Sequence, residues 1–146
     1  MASKQVIPYG GKVERSDDGT TAWEAIPEVK GLAIPTVTKE YPEVTNLDSP
    51  DGYREYIPGL KDAGEITIPC GYTEAGYAQQ TADEASGVAI FYKVTLPKAA
   101  GQTTSGDTFE FQGFPVPSVE GGDIGAPVNM NVVLRVTGAV EWTAGT

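Results

Sequence analysis

The segment Val128–Val140 constrains the fold more than any other part of the chain. Val128, Met130, Val132, Leu134 and Val136 fall on one face. Asn129, Asn131, Val133, Arg135 and Thr137 fall on the other. Side chains alternate across a strand with a period of two. The pattern therefore predicts a long antiparallel strand with one buried and one wet face. Such a strand needs neighbours, and other runs supply them. Glu65–Cys70 alternates, with Cys70 following the apolar face of Ile66 and Ile68 as a small buried hydrophobe. Val88–Leu96 is strongly apolar. In Asp107–Val119, Phe109 and Phe111 stand opposite Thr108, Glu110 and Gln112. Gly113, Pro115 and Pro117 are expected to break or bend that run. Trp23–Val29 reads as a half-buried strand bent at Pro27, and Ile34–Val44 as a strand whose prolines limit pairing to its middle. Residues 1–21 read as a polar arm with partial flexibility, and 97–106 as an exposed, mobile loop.

One stretch has a helical signature. Across Thr73–Ser86, Ala75, Ala78, Ala82 and Ala85 share a face, Thr73 can cap the start and Gly87 the end. That alanine face is expected to lie against the sheet. The fold class expected is mainly β: a β-sandwich or open barrel of about seven strands with one flanking helix and a long inter-strand loop. Its 146 residues read as a single domain.

The long loop lies within Glu43–Ile66. About twenty residues here are rich in Pro, Gly and Asp, which argues against regular structure. Loops of this length are uncommon unless functional or disordered. Leu47, Tyr53, Tyr56, Ile57 and Leu60 are too many apolar groups for a solvated linker. Either the loop folds back on its own domain, or it docks on another copy of the protein.

Composition removes most chemistry. The chain has no His, which excludes Ser-His-Asp and Cys-His nucleophile systems and His-ligated metal sites. A single Cys excludes an intrachain disulfide and a Cys-cluster metal site. No carboxylate pair stands out in an apolar setting, as glycosidase chemistry requires. No catalytic residue, cofactor or metal site is expected. The net charge of −10 is opposite to what phosphate neutralisation needs. No apolar run approaches the roughly 18 residues of a membrane span, and the start, MASKQVIPYGG, lacks a secretory signal's apolar core. Synthesis in the cytoplasm is the expectation.

Three segments carry a family likeness: Trp23–Val29, Val44–Asp48 and Tyr53–Glu65. With the short Ala-rich helix and the closing β-runs, in that order, they resemble the major tail tube protein of long-tailed, non-contractile bacteriophages. The resemblance covers most of the chain. It implies a β-sandwich or barrel with a flanking helix, six copies in a ring, and rings stacked into a tube in the virion tail. It further implies other tail proteins as partners, synthesis in the bacterial host, and DNA that passes without specific binding. The long loop then reaches the neighbouring ring.

On that basis residues 46–63 form the stacking loop. Tyr53, Tyr56, Ile57 and Leu60 are its anchors, since such groups dominate interface energy, and Leu47 belongs to the same loop. Asp48, Asp51, Arg54, Glu55, Lys61 and Asp62 form its polar rim. The wet strand faces supply lumen candidates: Thr36, Thr38 and Glu40; Thr108, Glu110 and Gln112; Asn129, Asn131 and Arg135. Arg135 is expected to pair with Glu110 or Glu40. Ring closure is expected through strand edges at Ile34–Val44 and Val128–Thr137. Two other readings stay open: a monomeric β-sandwich binding or adhesion module, and a tube protein of a contractile injection system.

Overall fold

A computed structural model describes residues 4–146. The chain runs β1 (Lys12–Ser16), β2 (Glu24–Ala25), β3 (Thr38–Lys39), β4 (Lys61–Asp62), β5 (Glu65–Gly71), α1 (Glu74–Ser86), β6 (Ile90–Thr95), β7 (Thr108–Glu120) and β8 (Asn129–Thr143). Six strands form one antiparallel sheet in the order β2-β1-β6-β7-β8-β5, and β3 and β4 form a separate two-stranded ladder.

The large sheet curls into an open barrel, and one short segment ties its two edges together. Glu24–Ala25 pairs with β1 at one edge. A few residues on, Val29 bridges Cys70 of β5 at the other, Lys30 N–H donates to Pro69, and Gly71 N–H donates to Glu28. Trp23–Val29 is thus two short pairings joined by a bend rather than one strand. Pro27 lacks the N–H that a continuous ladder needs.

The core follows the period-two pattern. Val13, Tyr92, Val94, Phe111, Ile68, Cys70, Met130, Val132, Leu134 and Val136 are buried on the inner face. Tyr92 and Phe111 stack with ring centroids 6.2 Å apart. Burying one such large side chain contributes roughly 1.5–3 kcal/mol. Burial also raises the Cys70 thiol above its ordinary pKa, which suits a packing role.

Several expectations change. The polar arm expected over residues 1–21 contains β1, a strand paired on both sides, with Val13, Arg15 and Ser16 buried; residues 1–3 lie outside the described residues. Residues Ile34–Val44 yield only the two-residue β3, because Pro35 and Pro42 remove donors on either side. In contrast, β7 runs unbroken through Gly113, Pro115 and Pro117. A strand residue turns its N–H and C=O to one side, and neighbours alternate. Asp107 accepts from Leu96 on the β6 side, so odd-numbered residues of β7 face β6. β6 begins at Ile90, opposite Gly113. Pro115 and Pro117 therefore turn their donorless nitrogens to the side where β6 has already ended. Gly113 allows close packing, since a Cβ there would lie 2.7 Å from Leu134 Cγ.

The helix begins and ends as read: Thr73 Oγ1 accepts from Gly76 N–H at 3.1 Å, and Gly87 adopts φ 69°. Its orientation is the reverse of the expectation. Gly76, Gln80 and Asp83 are buried, while Ala75, Ala78, Ala82 and Ala85 are exposed. The polar face docks because partners await it inside the sheet. Arg15 Nε lies 2.7 Å from Asp83 Oδ2 and its NH2 donates to Asp83 Oδ1 at 2.8 Å. Tyr92 OH donates to Gln80 Oε1 at 3.1 Å. Asp17 and Glu24 complete the shell around Arg15. Burial lowers the guanidinium's pKa, but Asp17 and Asp83 together raise it above its ordinary value, and burial with nearby Asp83 raises the Tyr92 phenol.

The loop over 97–106 is held by its surroundings. The N–H groups of Thr103, Thr104 and Ser105 all donate to a Thr146 oxygen, and Gln102 donates to Asp107.

Candidate assembly surfaces

The loop region is an arm with its own ladder, where no regular structure was expected. Beyond the β3–β4 pairing, Glu40 N–H donates to Leu60, Gly59 N–H to Glu40, Ile57 N–H to Pro42 and Val44 N–H to Glu55. Glu43 bridges Tyr56. Turn-forming residues shape the tip. Asn46 Oδ1 accepts from Asp48 N–H, Ser49 Oγ donates to Glu55, Pro50–Gly52 makes one 3-10 turn, and Asp51 sits at φ 56°.

No residue from Thr36 to Asp62 is buried. Leu47 is 105% exposed, Leu60 78% and Tyr53 73%, with Tyr56 and Ile57 also exposed. The arm does not fold back on its own body. Its polar residues Asp48, Asp51, Arg54, Lys61 and Asp62 are exposed, and Glu55 is half-buried. Arg54 lies 4.0 Å from Glu43. Lys61 and Asp62 are β4 and mark the arm's root, not its tip.

The outer face of the large sheet is the second surface. Strand register places Glu14, Lys93, Glu110 and Glu141 in one row, and Glu65, Arg135 and Phe114 in another. Lower-numbered β7 positions Thr108, Glu110 and Gln112 share this face with Asn129, Asn131 and Arg135 of β8. Lys93 Nζ lies 3.7 Å from Glu110 and 4.3 Å above the Trp23 ring. Asn131 donates to Glu120 at 2.7 Å, and Lys30 donates to Asn129. Thr36, Thr38 and Glu40 are elsewhere, at the arm's root, where Thr38 donates to the Asp62 carbonyl. Arg135 pairs with Asp62 at 3.5 Å rather than with Glu110 or Glu40, because β4 folds against that end of β8.

Two apolar surface groups escaped the sequence reading. Phe114 and Val116 are exposed on the outer face, within the Gly113–Pro117 stretch expected to break or bend the strand. Ile124 is exposed at the β7–β8 turn. Continued alternation past Gly113 was the signal for the first pair. The edge expected at Val128–Thr137 is unavailable for pairing between copies, since β8 is flanked there by β5 and β7. Among the described residues, no group of three His, Cys, Asp or Glu is placed to hold a metal, and no helix is long and apolar enough to cross a membrane.

No family profile and no curated protein matches the chain by sequence. Solved structures match it in shape. The sheath/tube terminator of an extracellular contractile injection system, PVC, in its extended state gives a TM-score of 0.72 at 16% identity, covering 99% of this chain and 100% of that one. The tail of an empty gene transfer agent particle, refined with C6 symmetry, gives 0.66 at 17% identity, covering 91% and 95%. The SPP1 tail tube gives 0.66 at 13% identity, covering 97% and 80%. The chain thus has the fold of tail-tube and tube-terminator proteins, whose assemblies are structural rather than enzymatic.

Proposed function

We propose that this protein is a structural subunit that self-assembles into six-membered rings, stacked into a phage tail tube that conducts DNA at ejection. The carrying observation is the arm from Thr36 to Asp62, which holds eight large apolar or aromatic side chains and buries none of them. Apolar groups displayed this way gain free energy only by docking elsewhere. The tail-tube fold supports a second copy as the partner, and the C6 symmetry of one neighbour supports the ring number. Other tail proteins meet the ends of the tube, and the product resides in the virion tail after synthesis in the host cytoplasm.

In this reading the outer sheet face, with Thr108, Glu110, Gln112, Asn129, Asn131 and Arg135, lines the lumen. Six copies of −10 give roughly −60 per ring, a field that repels phosphates. Screening confines it to about 8–10 Å from the wall, so DNA slides past without specific binding. Full coverage of a terminator from a contractile system favours a second reading, a tube subunit of such a system. Co-assembly with a sheath protein separates the two. Sedimentation and negative-stain microscopy of concentrated protein test the main proposal: rings or tubes are expected, and deletion of residues 48–60 abolishes them while sparing the fold. A monomer at every concentration overturns it and favours a binding or adhesion module.

A further inference from the structure

The chain carries two Asp-Gly pairs, Asp18-Gly19 and Asp51-Gly52. An aspartyl side chain followed by glycine can close a five-membered ring, because glycine leaves the next amide nitrogen unshielded. We infer that the tip of the arm is a spontaneous modification site, at which Asp51 isomerises to isoaspartate through a cyclic imide with Gly52, while the fold holds Asp18 unreactive.

The reaction needs no co-reactant but water. The Gly52 amide nitrogen attacks the Asp51 carboxyl carbon and a C–N bond forms. The nitrogen's proton leaves with the carboxyl OH as one water. A second water then opens the imide. Attack at the former side-chain carbonyl restores aspartate. Attack at the main-chain carbonyl breaks the old peptide bond and leaves the backbone running through Cβ as isoaspartate. Composition is unchanged, and nothing is oxidised or reduced.

Ring closure requires a free carboxyl, an accessible nitrogen and room to rotate. Asp51-Gly52 meets all three. Among the described residues the Asp51 carboxyl has no hydrogen-bond or ion-pair partner, and both residues are exposed. Nothing lies within 4 Å of the position that a Gly52 Cβ would take. Asp51 sits at φ 56°, a left-handed conformation that costs a residue with a side chain. Tyr53 N–H donates to Pro50 at 3.1 Å across this turn, and exposed turns of this kind open readily.

Asp18 fails each condition. Its carboxylate accepts from Thr20 N–H at 3.0 Å, Thr21 N–H at 2.9 Å and Thr21 Oγ1 at 2.7 Å. These bonds hold it in the ionised form, the poorer electrophile. Gly19 N–H donates to Ser16 Oγ at 3.1 Å. The Phe91 ring lies 2.6 Å from the position of a Gly19 Cβ, which leaves the backbone little room to turn.

Conversion adds one carbon to the main chain inside the turn that shapes the arm's tip, so the arm ages from its end. The inference goes beyond the assembly reading and does not depend on it.

Peptide mapping tests it. The full chain is kept folded at neutral pH in water enriched in heavy oxygen, and tryptic peptides 16–30 and 40–54 are sampled over weeks. Each imide opening leaves one heavy oxygen, and electron-transfer fragmentation distinguishes isoaspartate from aspartate. Label and isoaspartate at Asp51 should accumulate at least about tenfold faster than at Asp18, where several hydrogen bonds must break first. In the urea-unfolded chain the two rates should converge, since both sites are Asp-Gly. Asp51→Glu lengthens the side chain beyond five-membered closure and should abolish the signal in peptide 40–54 with the circular dichroism unchanged. Equal rates at the two sites of the folded chain overturn the inference. So does a signal that persists in Asp51→Glu, or a preference for Asp51 that survives in urea.

Discussion

Replacing Asp83 by Ala should cost about 3 kcal/mol, at the lower end of the range for breaking a buried ion pair. The Arg15 and Asp83 side chains are 4% and 5% exposed, and two guanidinium nitrogens lie within 2.8 Å of the two carboxylate oxygens. Removal of Asp83 leaves a guanidinium inside the barrel with Asp17 and Glu24 as partners, whose side chains are 80% and 61% exposed. Those carboxylates are well hydrated and compensate only in part. Gln79, which donates to Asp83, loses its acceptor as well. Domains of this kind are stable by only about 5–15 kcal/mol, so the loss is a large fraction. Urea unfolding followed by circular dichroism measures it, as a lower midpoint at unchanged slope. The double substitution Arg15→Met with Asp83→Leu should recover most of the loss, because a buried pair replaced by apolar groups of similar size is often neutral. A loss for Asp83→Ala below about 1 kcal/mol, the value of an exposed pair, refutes this account of helix docking. So does a double variant no more stable than the single.

Gly113→Ala should destabilise by about 1–3 kcal/mol through overpacking against Leu134, read as a lower thermal midpoint. Hydrogen bonds from the Thr21 hydroxyl, the Thr20 and Thr21 N–H groups and Ser16 hold the Asp18 carboxyl well below its ordinary pKa. This contribution is complete above the ordinary value of 3.8 and is lost as pH falls toward the depressed one; amide exchange at Thr20 and Thr21 should rise over that interval, and Asp18→Asn should remove the dependence. In assembled particles, Glu110→Lys should slow DNA ejection in a salt-sensitive way, while Glu40→Lys at the arm's root should leave it unchanged; equal effects would mean that the outer sheet face is not the wall.

Whatever depends on local period and stereochemistry can be read from the residues alone. β5 and β8 were legible because one wet and one dry face force alternation, and β6 because it is a short, strongly apolar run. The helix was legible from its caps, and the arm from apolar residues set among turn formers. Whatever depends on a distant partner is set by packing between segments far apart in the chain. β1 was hidden because its inward Arg15 looks like a solvent residue until Asp83, far along the chain, neutralises it. For the same reason the helix turns its polar face inward: buried hydrogen bonds and an ion pair outweigh a small-residue face that gains little from burial. Pro115 and Pro117 read as strand breakers, yet only the length of β6 determines whether their missing donors are needed. The arm's apolar groups were visible in the chain, but their lack of an internal partner became known only when every other surface had been packed.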